Sequence, residues 1–208
     1  EIPKGWTINK IKDLGKVICG KTPPTKDKEN YGDGFNFITI PDMHDRVFVL
    51  ESSKTVTEKG AKTLKGKLLP EKTICVSCIA TPGLTVIIDK PSFTNQQINS
   101  ITPYAEHLSY FLFLNFRTLG SKISIYGGGG SVFENMSKSK FEEILIKTPD
   151  EKILKYFENH LSPIFEKILI TSKENKILTE IRDTLLPKLI SGELQIPSAE
   201  NLIEEAGI

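Results

Sequence analysis

A chain of 208 residues with 38% hydrophobic and 25% charged residues is long enough to bury a core without disulfide staples and too ordinary in composition for wholesale disorder. No apolar run approaches the roughly 18 residues of a membrane helix, so no membrane span is expected. The net charge of +1 hides an asymmetry, because residues 1–150 carry 20 Lys and Arg against 16 Asp and Glu while residues 151–208 carry 7 against 10.

In chain order, the β-branched and aromatic runs with Gly, Pro or Asn at their borders predict strands at Phe35–Ile40, Thr73–Ile79, Leu84–Ile88, Ile98–Ile101 and Lys122–Tyr126. Ala105–Leu119 reads as a helix with Leu108, Phe111, Leu112 and Phe116 on one side, and Ser137–Ile144 as a shorter one. Strands and helices do not alternate steadily, which argues against a doubly wound sheet and for an α+β domain. At Thr148-Pro149-Asp150-Glu151 the character changes to helix, with Thr148 as the expected cap and Glu151 as its reciprocal acid. That helix is expected to end near His160, and Ser162-Pro163 to start a second running to Ile190, about 40 Å long.

On this last helix Ile164, Ile168, Thr171, Asn175, Leu178, Arg182, Leu185 and Leu189 step by four and three, and Ile177 and Ile181 widen the stripe. Such heptad spacing suits a coiled coil, with Asn175 as a polar position that fixes register. The alternative is a helix packed on its own domain. Gly192 ends it, and an acidic tail follows. The expected organisation is therefore a mixed α/β globular domain over 1–148, a helical spacer and dimerisation region over 149–192, and a tail over 193–208.

No constellation announces catalysis. The three cysteines, Cys19, Cys75 and Cys78, suit a reducing compartment, hence the cytoplasm. Cys75-Val76-Ser77-Cys78 lies in an apolar run without further ligands at zinc-site spacing, and is read as a buried structural pair. Gly127–Ser131 lacks the Lys-Ser/Thr of a nucleotide-hydrolase loop; it is either a hinge or a place where backbone N–H groups approach a phosphate. Lys21–Lys28 is a Pro-stiffened loop with three lysines, suited to phosphate contact or simply solvated. Thr94–Asn99 carries four amides, able to bind adenine edges but better suited to locking a loop. Glu174-Asn175-Lys176 has no upstream acid that would complete a nuclease metal site.

Several of these segments, taken in order, resemble the specificity subunit of type I restriction-modification systems. They are Pro3-Lys4-Gly5-Trp6, Gly20-Lys21-Thr22-Pro23, Phe37–Met43, Leu69-Pro70 with Ile74–Ile79, Thr94–Asn99, Gly130–Phe141 with Pro149, and above all Leu185-Leu186-Pro187-Lys188-Leu189-Ile190-Ser191-Gly192-Glu193-Leu194. The chain departs from the family at Ile79–Gly83, which is less glycine-rich, and at Pro149-Asp150-Glu151, which lacks a double proline. It also carries one recognition domain and one long helix where the family usually has two of each. It is expected to be either a half-subunit that pairs with itself, for which the tail looks like a natural end, or the C-terminal half of a longer protein.

The resemblance implies a target-recognition domain that reads one half of a split double-stranded DNA site, and a helix that pairs two copies into a homodimer and sets the gap between half-sites. The chain itself would be non-catalytic and without a cofactor. Methyltransferase (modification) subunits using S-adenosylmethionine, and a restriction subunit using ATP and Mg²⁺, would dock on it. Candidate DNA contacts are Lys21, Thr22, Lys26, Lys28, Lys122 and Ser131; candidate dimer contacts are Ile164, Ile168, Asn175, Leu178, Leu185 and Leu189. Rival readings are a helical protein–protein adaptor and, behind it, a nuclease with an unrecognised site.

Overall fold

In chain order the protein forms β1 (Thr7–Lys10), α1 (Ile11–Leu14), β2 (Gly15–Cys19), β3 (Tyr31–Ile38), β4 (Phe48–Val49), β5 (Thr55–Val56), α2 (Glu58–Thr63), β6 (Ile74–Ser77), β7 (Thr85–Ile88), β8 (Ser92–Thr94), β9 (Ile98–Pro103), α3 (Ser109–Ile125), α4 (Lys138–Glu142), β10 (Leu145–Thr148) and α5 (Glu151–Ile190). The structure, a computed structural model, describes residues 3–79, 81–125 and 136–194. The chain divides into two units, Glu1–Glu166 and Lys167–Ile208.

The first unit is built on a five-stranded sheet of order β2-β9-β6-β7-β4. Its central strand β6 is buried at all four positions, as a strand covered on both faces must be. The core on this sheet gathers Ile18, Val49, Cys75, Val86, Ile88 and Ile98 with Ile38, Met43 and Leu69 from the segments around it. A three-stranded sheet, β5-β3-β8, carries a second cluster of Phe37, Val56, Leu64 and Phe93. A two-stranded ribbon pairs β1 with β10, from Thr7↔Thr148 to Lys10↔Leu145. Helix α3 packs on β6 and β7.

Several expectations are corrected. The strand expected over Phe35–Ile40 stops at Ile38, and a 3₁₀ turn, Ile40–Met43, follows. Thr39 donates to Asp42 from both N and Oγ1, at 2.8 and 2.7 Å, and Pro41 suits a first turn. Lys122, expected in a strand, lies in α3, which continues to Ile125. Helix propagation, adding one hydrogen bond per residue, overrides the β-branched composition there. Thr148 is the last residue of β10, not the cap of α5. The cap is Asp150, whose Oδ1 accepts from Ile153 N at 2.9 Å. Helix α5 does not restart at Ser162-Pro163 but runs unbroken for 40 residues. Asn159, whose carbonyl loses its donor to Pro163, is exposed, as is Pro163 itself, so water can serve that carbonyl.

Within the first unit α5 is anchored by Leu154, Glu158 and Phe165. Phe165 stacks on Tyr110 with ring centroids 4.1 Å apart and meets Phe48 and Phe113 edge-on. Along the expected pairing stripe Ile164, Asn175, Leu178 and Leu185 are exposed, Leu178 by 61%, while Ile168 and Leu189 are half-buried.

Candidate nucleic-acid interface

Strand register brings the motif-bearing loops to one end of the five-stranded sheet. Cys19 at the end of β2 pairs with Asn99 near the start of β9, Asn99 with Val76 near the end of β6, and Val76 with Thr85 at the start of β7. The loop after β2, the loop before β9 and the β6–β7 turn therefore emerge together. Because β4 runs parallel to β7 in the register Phe48↔Ile87, the segment before β4 joins them. Met136 is here too, its carbonyl accepting from Asn99 Nδ2 at 2.9 Å.

The Lys21–Lys28 loop is braced at its root and along its length. Gly20 N donates to Ile98 O at 3.1 Å and Lys21 N to Thr94 O at 2.9 Å. A Cβ on Gly20 would stand 2.1 Å from Asn95 O and 2.3 Å from Thr94 O, so the approach needs glycine. Thr22 Oγ1 donates to Gln96 Oε1 at 2.6 Å. Buried Asn30 donates to Pro24 O, and Tyr31 Oη to Pro23 O. Lys59 reaches both acids of the segment, Asp27 at 2.9 Å and Glu29 at 2.5 Å. Its hydrogen bond holds the Asp27 carboxyl below its usual range.

Lys59 thus offsets one of these two carboxylate charges, while Lys21, Lys26 and Lys28 remain exposed, none with an ion pair among the described residues. They are a positive edge held on a stiff loop, the chemistry of phosphate contact. Beside the loop a cleft of about 570 Å³ is lined by Thr22, Thr25, Tyr31, Phe37, Lys54 and Thr55.

The four amides divide their roles. Asn95 Oδ1 accepts from Gln97 N, and Asn95 Nδ2 donates to Gln97 Oε1, both at 3.0 Å, so this pair locks its own turn. Asn99 is buried and donates to Cys78 Sγ and Met136 O. Gln96 is exposed beside Thr22 and is the amide displayed at this end. Lys67 Nζ donates to Cys19 O at 3.0 Å. Burial pushes the Cys19 thiol up, against the pull of Lys67 and Lys138, which puts two more cations at this end. Gln96 was one of the four amides the sequence singled out, but Lys54 and Lys67 carried no sequence signal, because only the fold brings them here.

Of the other candidates, Lys122 lies near the C-terminal end of α3, and Ser131, with the Gly127–Gly130 run, lies outside the described residues. Cys75 and Cys78 are buried, as the structural reading of the pair requires. Burial pushes the Cys75 thiol up to about 12, which makes it a poor nucleophile or metal ligand. Among the described residues no group of three or more His, Cys, Asp or Glu could hold a metal ion, and no helix is long and apolar enough to cross a membrane.

The architecture is that of solved type I specificity subunits. The chain superposes with a TM-score of 0.60 on the crystal structure of an HsdS subunit from Thermoanaerobacter tengcongensis, at 16% identity over 93% of this chain and 47% of that one. The S subunit of a type I restriction-modification system from M. genitalium gives 0.59 at 18% identity, over 92% and 46%. Residues 3–180 match the family model of the type I restriction modification DNA specificity domain, and the chain belongs to that family.

Among curated relatives, the type I restriction enzyme HindI specificity subunit of Haemophilus influenzae is 46% identical over 195 residues, 93% of this chain and 42% of that protein. The MjaIX specificity subunit of Methanocaldococcus jannaschii is 32% identical over 167 residues, 76% of this chain and 39% of that one. The chain thus spans less than half the length of the curated relatives it matches.

Proposed function

We propose that this chain is a sequence-specificity module that reads one half of a bipartite DNA site for a type I restriction-modification complex. The observation that carries the reading is the convergence of the β2, β9 and β6–β7 loops at one sheet end, with three exposed lysines on the braced first loop. Family membership and the names of the relatives point the same way.

In this reading residues 1–148 recognise DNA, 149–192 form a spacer and 193–208 a tail. Two copies pair through α5 as a coiled coil, using Ile164, Ile168, Asn175, Leu178, Leu185 and Leu189. Exposed Leu178 and Leu185 at heptad spacing support this pairing. A twofold dimer reads a split palindrome, since protein symmetry is mirrored in the DNA. The chain catalyses nothing; docked methyltransferase subunits supply S-adenosylmethionine chemistry and a restriction subunit supplies ATP-driven cleavage, all in the cytoplasm.

The test is affinity capture of the tagged full chain from its native cells, with partners identified by mass spectrometry. Stoichiometric recovery of an adenine DNA methyltransferase supports the reading. Recovery of the chain without any methyltransferase contradicts it and favours the adaptor.

A further inference from the structure

The first unit contains two arginines, Arg46 and Arg117, and both line one cleft of about 320 Å³ at the reading end of the sheet. Its walls are the segment before β4, the β6–β7 turn and the C-terminal part of α3. Its floor is backbone: Gly120 lies so close to Gly83 that a Cβ on it would stand 2.7 Å from Gly83 O. Arg117 is exposed, with its guanidinium 5.6 Å from the centre of the Phe113 ring. Arg46 is exposed too, and Nη1 reaches Glu51 O at 3.5 Å. Both guanidinium groups thus keep most of their five donors for a ligand.

A third charged residue decides what that ligand is. Asp45 lines the same cleft, exposed, at φ 56° in the left-handed region. Few side chains adopt that conformation, and Asp is one that tolerates it. Among the described residues no hydrogen bond or ion pair takes up its carboxylate. A phosphate would be repelled by this carboxylate. A G·C pair would not: guanine offers two acceptors, O6 and N7, which suit an arginine, and cytosine offers the N4 amino donor, which suits an aspartate.

We infer that Asp45, Arg46 and Arg117 form a base-reading subsite for a G·C pair in the major groove, the arginines donating to guanine and Asp45 accepting from cytosine. The inference rests on the DNA-specificity reading above and adds to it a specificity-determining residue set separate from the phosphate-contacting lysine loop.

The test uses the full chain with its modification subunit to select from a randomised duplex oligonucleotide library, and compares wild type with Arg46→Lys, Arg117→Lys and Asp45→Asn. Lysine keeps the charge but loses the two-pronged fit, and Asn tolerates the left-handed backbone. The expected result is a motif in which at least one arginine variant and Asp45→Asn lose preference at the same G·C position, by about tenfold or more, with the salt dependence of binding unchanged. An unaltered motif in all three variants overturns the inference while leaving the specificity reading intact. So does a motif unaltered while Asp45→Asn binds every sequence more tightly, the mark of a phosphate contact. If the wild-type complex selects no motif, the specificity reading itself fails and the subsite with it.

Discussion

Replacing Gly20 by Ala tests whether the lysine loop is held by its close backbone approach to the β8–β9 segment. The new Cβ would lie 2.1, 2.3 and 2.4 Å from Asn95 O, Thr94 O and Thr94 Oγ1. Two of these are backbone atoms of a segment buried at Thr94, so the 20–21 segment must move instead. That movement breaks Lys21 N→Thr94 O and strains Gly20 N→Ile98 O. Each lost backbone bond costs about 1 kcal/mol net, and more where a buried carbonyl is left unsatisfied, so a loss of roughly 2–4 kcal/mol follows.

Urea unfolding followed by circular dichroism measures this, with Gly66→Ala as the control. Gly66 has φ +73° but nothing within 4 Å of a Cβ, so it isolates the backbone cost of about 1 kcal/mol. Gly20→Ala should cost clearly more than the control and should reduce DNA binding in what remains folded. A Gly20→Ala protein within about 0.5 kcal/mol of wild type, inside the ordinary scatter of surface substitutions, would refute the close-approach reasoning.

Three further outcomes are expected. Substituting Lys21, Lys26 and Lys28 together by Ala should weaken DNA binding and flatten its salt dependence by about one unit per lost phosphate contact, read from affinities at several salt concentrations; an unchanged slope rejects the loop assignment. Leu178→Asp with Leu185→Asp should convert dimers to monomers by light scattering, and an unchanged mass shows that the stripe does not pair chains. Glu158, buried on α5, has its carboxyl pushed up to about 7 from 4.5, chiefly by burial and further by Glu106, against the Tyr110 N–H and Lys72. The folded state therefore holds a proton that the unfolded chain releases, and stability falls as pH rises from about 4.5 through 7. With partial hydration discounted, the loss is on the order of 1–3 kcal/mol, and Glu158→Gln should remove it above pH 7 while changing little near pH 4.5; equal pH dependence in both proteins contradicts the assignment.

Legibility in the sequence followed physical range. The buried strands β6, β7 and β9 stood out because β-branched runs with turn borders need only local information. The heptad stripe on α5 did so because its period is local too, although Pro163 read as a break and is not one. The β1–β10 ribbon was hidden: it joins chain segments far apart, and Asn9, Lys10 and Lys147 give it little apolar alternation. Lys122–Ile125 misled, because β-branched composition was outweighed by continuation of α3.

The same divide applies to the candidate site. Lys21, Thr22, Lys26 and Lys28 were visible as a Pro-stiffened basic loop. Gln96 was visible as one of four amides read chiefly as locking a loop; Lys54, Lys67 and the Arg46–Arg117 cleft were not, because no spacing in the chain foretells which loops a sheet register will bring to one end.

The most direct test of the central claim is the methylation pattern of DNA from cells expressing this chain with its modification subunit, mapped base by base by long-read sequencing. The account predicts methylated adenines in a split motif whose two halves are inverted repeats, present only when the chain is present. Methylation that does not depend on the chain, or a motif without two symmetric halves, would contradict it.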